Sequence, residues 1–263
     1  MDGTGKVCVV TGASSGIGRQ IAVDLAARGA RVCAVARREE RLEALFGSIG
    51  GTEAGHSWFA ADVSDRAAVD ALVDHVRATY GRIDVLVNNA GFSRPGDLTD
   101  ERSVEVIHEV MATNFFGPVY CTKAFLGLLL DATPSHVINV ASVAGRLALG
   151  GSSAYSASKF ALVGWSEALN LELEDRGVHI GLVEPGPVPT EGFPQEALKN
   201  DRYLRWTLAS PEDVSKAVMS SIAGSKVQRT VPRWYYLLQI PRLVAPPLFR
   251  AAQKRIVKGR TGR

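Results

Sequence analysis

Short apolar runs recur along this chain, each followed by a stretch with helical period. KVCVVTG at 6–12 gives way to ASSGIGRQIAVDLAARG, ARVCAVAR at 30–37 to REERLEALFGSIG, and HSWFAADV at 56–63 to DRAAVDALVDHVRATYG. IDVLVNNAG at 83–91 closes the series. Runs such as VCVV and VLV show no polar alternation, so both faces of those strands must be covered. Antiparallel neighbours need only tight turns, whereas helical crossovers of roughly a dozen or more residues are what parallel strands require. The pattern continues with a long helix about Ser103 to Leu130, a strand at HVINVAS, a second long helix about Ser153 to Asp175, and a strand at VHIGLVEPG. The expected fold class is α/β: a single doubly wound parallel sheet flanked by helices on both faces. With 263 residues, 46% of them hydrophobic, the chain can bury one large core.

Several classes of protein are disfavoured by what is missing. Cys8, Cys33 and Cys121 stand far apart, without CxxC spacing or a nearby histidine pair, so neither a disulfide framework nor a metal site is expected and a reducing compartment is the default. MDGTGKVCVVTG runs directly into an apolar strand without the layout of a signal peptide, and no stretch of 18 uninterrupted apolar residues is present. The expected location is cytoplasmic. Charge is unevenly spread: Val214–Arg263 carries 11 Lys and Arg and no acid, leaving 19 basic against 27 acidic residues in the rest of the chain. The two parts are expected to face different surroundings.

Thr11–Gly18, TGASSGIG, follows the first strand and opens the first helix. Gly12, Gly16 and Gly18 let the backbone turn tightly and approach a pyrophosphate, while the free amides and the helix dipole favour its charge. Ser14, Ser15 and Ile17 complete this loop. It is the phosphate loop of a Rossmann unit with GxxxGxG spacing. Such units place an Asp or Glu at the end of the second strand when they hold NAD. Here Ala36 takes that place, 24 residues after Gly12, followed by Arg37 and Arg38. Two guanidiniums and no carboxylate suit a ribose 2′-phosphate, so NADP(H) is expected in preference to NAD(H). The alternative is that both arginines are simply solvated at a helix start.

Taken with Asp62-Val63, NNAG at 88–91, Asn114, Ser142, Tyr155-x-x-x-Lys159 and PGPVPT at 185–190, the chain resembles the short-chain dehydrogenases/reductases over roughly residues 6–190. The resemblance implies an oxidoreductase that moves hydride between a nicotinamide and a carbonyl or secondary alcohol. It implies that Ser14 reaches the phosphate, that Asp62 and Val63 flank the adenine, and that Asn88, Asn89, Ala90 and Gly91 line the ribose and pyrophosphate. It also implies that Val188 and Thr190, just past Pro185-Gly186, grip the nicotinamide carboxamide.

Tyr155 and Lys159 lie one helical turn apart and so share a face. A free phenol ionises near pH 10, and a neighbouring cation is what brings a tyrosine toward useful acid–base work. By resemblance, Ser142 hydrogen-bonds the substrate oxygen, Tyr155 exchanges its proton, Lys159 lowers the tyrosine pKa and holds the nicotinamide ribose, and Asn114 fixes a water leading to Lys159. A regulatory protein that binds NADP(H) without chemistry would need none of these four.

The expected organisation is a dinucleotide-binding and catalytic domain over 1–232, with a substrate lid about 190–210, and a basic amphipathic extension over 233–263. Apolar and aromatic residues of the lid, Phe193, Tyr203, Leu204, Trp206 and Leu208, suit a lipophilic substrate such as a steroid-like ketone, an acyl derivative or a retinoid-like alcohol. In the extension, Leu248, Phe249, Ala252 and Ile256 would share one side of a helix beginning near Pro247, with Arg250, Lys254 and Lys258 on another. That side could meet an anionic membrane, the protein's own core or a second subunit; no base-reading motif points to nucleic acid. The resemblance further implies a homodimer or homotetramer assembled through the two long mid-chain helices.

Overall fold

The computed structural model describes residues 2–94, 96–148, 150–191, 207–224 and 227–261, the last seven as backbone. Much of the expected lid, including Phe193, Tyr203, Leu204 and Trp206, lies outside the described residues. Seven strands form one parallel sheet: β1 (Val7–Thr11), β2 (Arg31–Ala36), β3 (Ser57–Ala60), β4 (Val85–Asn88), β5 (Ser135–Val140), β6 (Val178–Pro185) and β7 (Gln228–Val231). Their order is β3-β2-β1-β4-β5-β6-β7, so the winding reverses between β1 and β4. In such sheets the connections that leave the carboxyl ends of these two strands run to opposite faces and leave a crevice. The doubly wound α/β class is as expected.

Alternation along each strand sorts the core into two layers. Cys8 and Val10 of β1 pack with Ile21, Ala22 and Leu25 of α1 (Gly16–Ala26) and with Leu42 and Leu45 of α2 (Glu39–Ser48). Val9 faces the opposite layer, with Leu72 and Val76 of α3 (Arg66–Tyr80) and Phe125 of α5 (Gly117–Asp131). A smaller cluster joins Ala141 and Leu182 to Leu162 and Val163 of α6 (Ser153–Leu173). The three cysteines are free and buried, and burial pushes each thiol up to about 12, leaving inert space-fillers. Among the described residues no His, Cys, Asp and Glu cluster could hold a metal.

Local chemistry sets the helix ends. Asp65 caps α3 by accepting from the Ala67 amide, and Gly81 ends it at φ 71°, a conformation glycine adopts without penalty. Two elements have no counterpart in the sequence pattern. One is α7 (Pro211–Ala223), opened by a reciprocal Ser210–Asp213 capping box; it covers the β1–β6 side of the sheet through Val214, Val218 and Ile222. The other is β7, whose four residues QRTV carry too little apolar character to stand out.

The long helix expected about 103–130 is corrected in one respect. It comprises α4 (Ser103–Met111) and α5, joined by a π-helical turn over Ala112–Phe116. The wider turn leaves Asn114 fully buried. Beyond β7 the chain makes a 3₁₀ segment (Arg233–Leu238), α8 (Gln239–Val244) and α9 (Pro246–Thr261), the last beginning one residue before the expected Pro247.

Candidate active site

The phosphate loop is shaped by contacts that exclude side chains. Gly12 sits at φ 69°, and a Cβ there would lie 2.8 Å from Asn89 Nδ2. At Gly18 a Cβ would lie 2.3 Å from the Gly12 carbonyl oxygen and 2.4 Å from Asn89 Nδ2, inside any allowed contact. Thr11 locks the loop to the neighbouring strand: its hydroxyl accepts from the Asn89 and Ala90 amides at 3.0 and 3.1 Å and donates to the Val87 carbonyl at 3.2 Å. Asn89 returns a bond to the Thr11 carbonyl at 2.9 Å. The motifs at 11–18 and 88–91 are thereby one structure across the crevice.

Helix α1 starts with Ser15 in extended conformation, and no side chain caps its first turn. Both loop hydroxyls are instead engaged by Arg38, whose guanidinium donates to Ser14 Oγ at 2.9 Å and Ser15 Oγ at 2.8 Å. Uncapped amides, a helix dipole and a fixed guanidinium converge on one spot, which fits a phosphate. Arg37 diverges from its neighbour and pairs with Asp62 at 3.4 Å. Burial opposes ionisation of Asp62, but bonds from the Ser64 hydroxyl and amide and the Arg37 charge hold its carboxyl below the usual range. Arg38 is the residue that reaches the loop. Sequence reasoning missed two participants here. Glu191 pairs with Arg38 at 3.4 Å and binds Arg41 through both guanidinium nitrogens, and these bonds hold its carboxyl below the usual range. Arg41, one helical turn into α2, could have been found from its place on the face that carries Arg38.

Other residues expected to touch cofactor vary in how they are presented. Gly16 and Thr190 are adjacent, a Gly16 Cβ falling 2.9 Å from Thr190 Cγ2. Val63 and Val188 are buried in the core, Val63 against Gly117, and Ile17 is partly buried against the core beneath the loop. Pro185 ends β6, and the Gly186 amide donates to the Val231 carbonyl at 2.6 Å.

Ser142 leaves the end of β5 and caps a 3₁₀ turn (Val143–Gly145), its oxygen accepting from the Ala144 amide at 3.1 Å and donating to the Pro185 carbonyl at 3.3 Å. Tyr155 and Lys159 project from the first two turns of α6. Burial pushes the Tyr155 phenol upward, and a hydrogen bond with Ser142 pulls it partly back. Lys159 is 4% exposed, and burial brings its ammonium from 10.5 down to about 8. Its Nζ donates to the Val140 carbonyl at 3.0 Å and lies 5.8 Å from the Tyr155 ring centroid. In the protein alone, burial is the largest influence on the Tyr155 phenol.

Asn114 closes the cluster. Its amide donates to the Phe92 carbonyl at 2.9 Å and to Ser158 Oγ at 3.1 Å, and its Oδ1 accepts from the Phe92 amide at 3.0 Å. Gly91 runs between Asn114 and Lys159: a Cβ on it would lie 3.1 Å from Asn114 Oδ1 and 3.5 Å from Lys159 Nζ. Beneath them runs a buried polar chain that the sequence reading missed. Asn88 donates to Thr122 and Asn139, and Asn139 donates to Ser166 at 2.9 Å, tying β4, α5, β5 and α6 together. Glu184, fully buried, joins β6 to β7 and to the turn after Ser142 by accepting from Arg146 at 2.7 Å, Gln228 at 2.5 Å and Thr230 at 3.1 Å.

A glycine-rich loop at the switch point of a doubly wound parallel sheet, with a Ser-Tyr-Lys-Asn cluster one strand away, defines a dinucleotide-binding oxidoreductase architecture. The short chain dehydrogenase family model matches residues 6–201. The chain is 42% identical over 187 residues to the D-threitol dehydrogenase of Mycolicibacterium smegmatis, covering 71% of this chain and 72% of that one. A metagenomic short-chain oxidoreductase solved in complex with NADP superposes with a TM-score of 0.74 at 32% identity, over 88% of this chain and 98% of the other. A short-chain dehydrogenase/reductase of Burkholderia phymatum, solved in complex with NAD, gives 0.78 at 28% identity over 97% and 96%. The protein belongs to the short-chain dehydrogenases, oxidoreductases whose fold binds nicotinamide cofactors.

Proposed function

We propose that the protein is an NADP(H)-dependent oxidoreductase interconverting a carbonyl and a secondary alcohol, with a lipophilic substrate. The observation that carries the chemistry is the contiguity of Ser142, Tyr155, Lys159 and Asn114 beside Gly91. The preference for a 2′-phosphate is supported by Arg38 bridging Ser14 and Ser15 where no acid ends β2.

Gly12, Gly16 and Gly18 leave no room for a Cβ, so the loop stays bare backbone at the start of α1, which fits a pyrophosphate. Arg38, Ser14 and Ser15 would hold the 2′-phosphate, Asp62 and Val63 the adenine side, Asn89, Ala90 and Gly91 the ribose and pyrophosphate, and Pro185, Gly186, Val188 and Thr190 the nicotinamide end. When bound, the nicotinamide supplies or accepts the hydride.

The chain's own residues govern the proton. In the reductive direction the upward-shifted Tyr155 phenol is protonated at neutral pH and can donate to the substrate oxygen, while the Ser142 hydroxyl, turning from the Pro185 carbonyl, donates a second hydrogen bond to the growing alkoxide. Lys159, about nine-tenths charged at pH 7 with a pKa of about 8, then favours the phenolate left behind. Asn114 ties the Phe92 backbone to Ser158, the residue before Lys159, and so helps to position that cation. The lipophilic class is supported by the aromatic segment after β7, whose Tyr235 ring packs against Gly186 at the end of β6. Exposed Val104, Phe116 and Leu171 on α4–α6 support a homodimer or homotetramer through those helices.

The test is NADPH oxidation over a panel of aldehydes, ketosteroids, 3-oxoacyl thioesters and quinones, with Tyr155→Phe as control. Turnover should disappear in the variant while its NADPH dissociation constant stays within about twofold. Retained turnover would overturn the acid–base assignment, and equal kcat/KM for NADPH and NADH would overturn the cofactor preference.

A further inference from the structure

The described residues expose ten large hydrophobic side chains, and six of them fall within 13 positions: Tyr236, Leu237, Ile240, Leu243, Val244 and Leu248. Leu243, Val244 and Leu248 are each about three-quarters exposed. Scattered surface leucines need no explanation, but six exposed apolar side chains gathered on one short segment point to a surface that is covered in use.

The arm that carries the patch is held from its other side. Tyr235 packs on Gly186, where a Cβ would fall 2.7 Å from the ring. The Arg242 guanidinium lies 5.1 Å over the Phe160 ring, next to Lys159, and donates to the Arg146 carbonyl. Gln253 Nε2 donates to the Ala148 carbonyl at 2.8 Å. These contacts fall on β6's end, α6 and the loop after Ser142, the same segments that build the candidate site. The patch is therefore turned away from the protein at the site's rim.

Charge decides what would cover it. No acid occurs after Asp213, and Arg233, Arg250 and Lys254 are exposed beside the apolar residues. Protein–protein interface cores are depleted of charge and rich in aromatics. Here the outward set is aliphatic with one tyrosine, Trp234 and Tyr235 are half-buried, and the cations flank the patch. Aliphatic residues flanked by cations match the boundary of an anionic bilayer, where acyl chains take the first and headgroups the second. None of the described helices is long and apolar enough to cross a membrane, so such a contact would lie in the surface.

We propose that residues 233–254 are a docking surface for anionic lipid, mounted on the rim of the candidate active site so that the site opens toward the bilayer. The docking does not depend on the catalytic reading, because it is measured without cofactor or turnover.

Cosedimentation of the full chain with phosphatidylcholine vesicles, with and without phosphatidylserine, tests it. Binding to the phosphatidylserine vesicles should exceed binding to the neutral ones by at least tenfold and weaken as salt is raised. The Arg250→Gln/Lys254→Gln double variant should bind roughly thirtyfold more weakly, the factor expected for two near-surface cations. The Ile240→Ser/Leu243→Ser/Val244→Ser triple variant should lose binding while keeping the parent melting temperature within a few degrees. Absence of vesicle binding by the parent, or equal binding by both variants, overturns the proposal. A parent that ignores vesicles but dimerises in sedimentation velocity, with the dimer lost in the triple variant, overturns it in favour of a second copy.

Discussion

Lys159 offers the sharpest test of the site's electrostatics, because its burial fixes both the sign and size of an effect that activity assays cannot mimic. Its ammonium is brought from 10.5 in the open chain to about 8 in the fold by burial. The charged form is thus disfavoured on folding, and the resulting destabilisation is fully present below pH 8 and fades as pH rises toward 10.5. In linkage terms the unfolded chain binds more protons than the native one across that window, so this group makes stability increase with pH. For those two pKa values the contribution changes by about 2 kcal/mol between pH 7 and pH 9.5. In a domain of this size that corresponds to about 4 °C in melting temperature. Lys159→Met keeps the length of the side chain and removes the proton. The measurement is the melting temperature of cofactor-free parent and variant at both pH values. Subtracting the two profiles cancels the titration of surface groups. The advantage of the variant over the parent should shrink by about 4 °C from pH 7 to pH 9.5. Parallel profiles would refute the claim that the ammonium is held below its ordinary range.

Two further predictions concern the cofactor side. Gly18→Ala places a Cβ 2.3 Å from the Gly12 oxygen, so the loop must shift; the melting temperature should fall by about 2 to 6 °C, and the dissociation constants of NADPH and NADH should both rise at least tenfold. Wild-type affinity in that variant would show that the loop does not meet the pyrophosphate. Glu191 holds Arg38 and Arg41, the place proposed for the 2′-phosphate, so Glu191→Gln removes a competing carboxylate. Equilibrium titration should show NADPH binding tightened several-fold with NADH unchanged, and an equal change for both would remove Glu191 from cofactor discrimination.

Much of the site could be read from residue order because it rests on local rules. A glycine that must turn at positive φ, a serine at a strand's end and a tyrosine one turn from a lysine are each legible within a few residues. The two-faced apolar strands likewise announce a covered parallel sheet. Arg37 and Arg38 show where that reading stops: adjacent in sequence and alike in chemistry, they part in the fold, one to Asp62 and the other to Ser14 and Ser15. Asn114 reads as a mid-helix residue, yet the π-helical turn makes it the anchor of Phe92 and Ser158.

Periodicity and short spacings in the chain are enough for the α/β class and the phosphate loop, and the resemblance to the short-chain dehydrogenases is what points to the family and to the four residues of the candidate catalytic cluster. Only the tertiary structure decided which groups meet over long separations: Glu191 with Arg41 across 150 residues, Glu184 with Arg146 and Thr230, and Arg242 with Phe160. Burial by the surrounding fold is also what raises the Tyr155 phenol and lowers the Lys159 ammonium. Desolvation and long-range pairing depend on what the rest of the chain packs around a residue, and that information is absent from any short stretch around it.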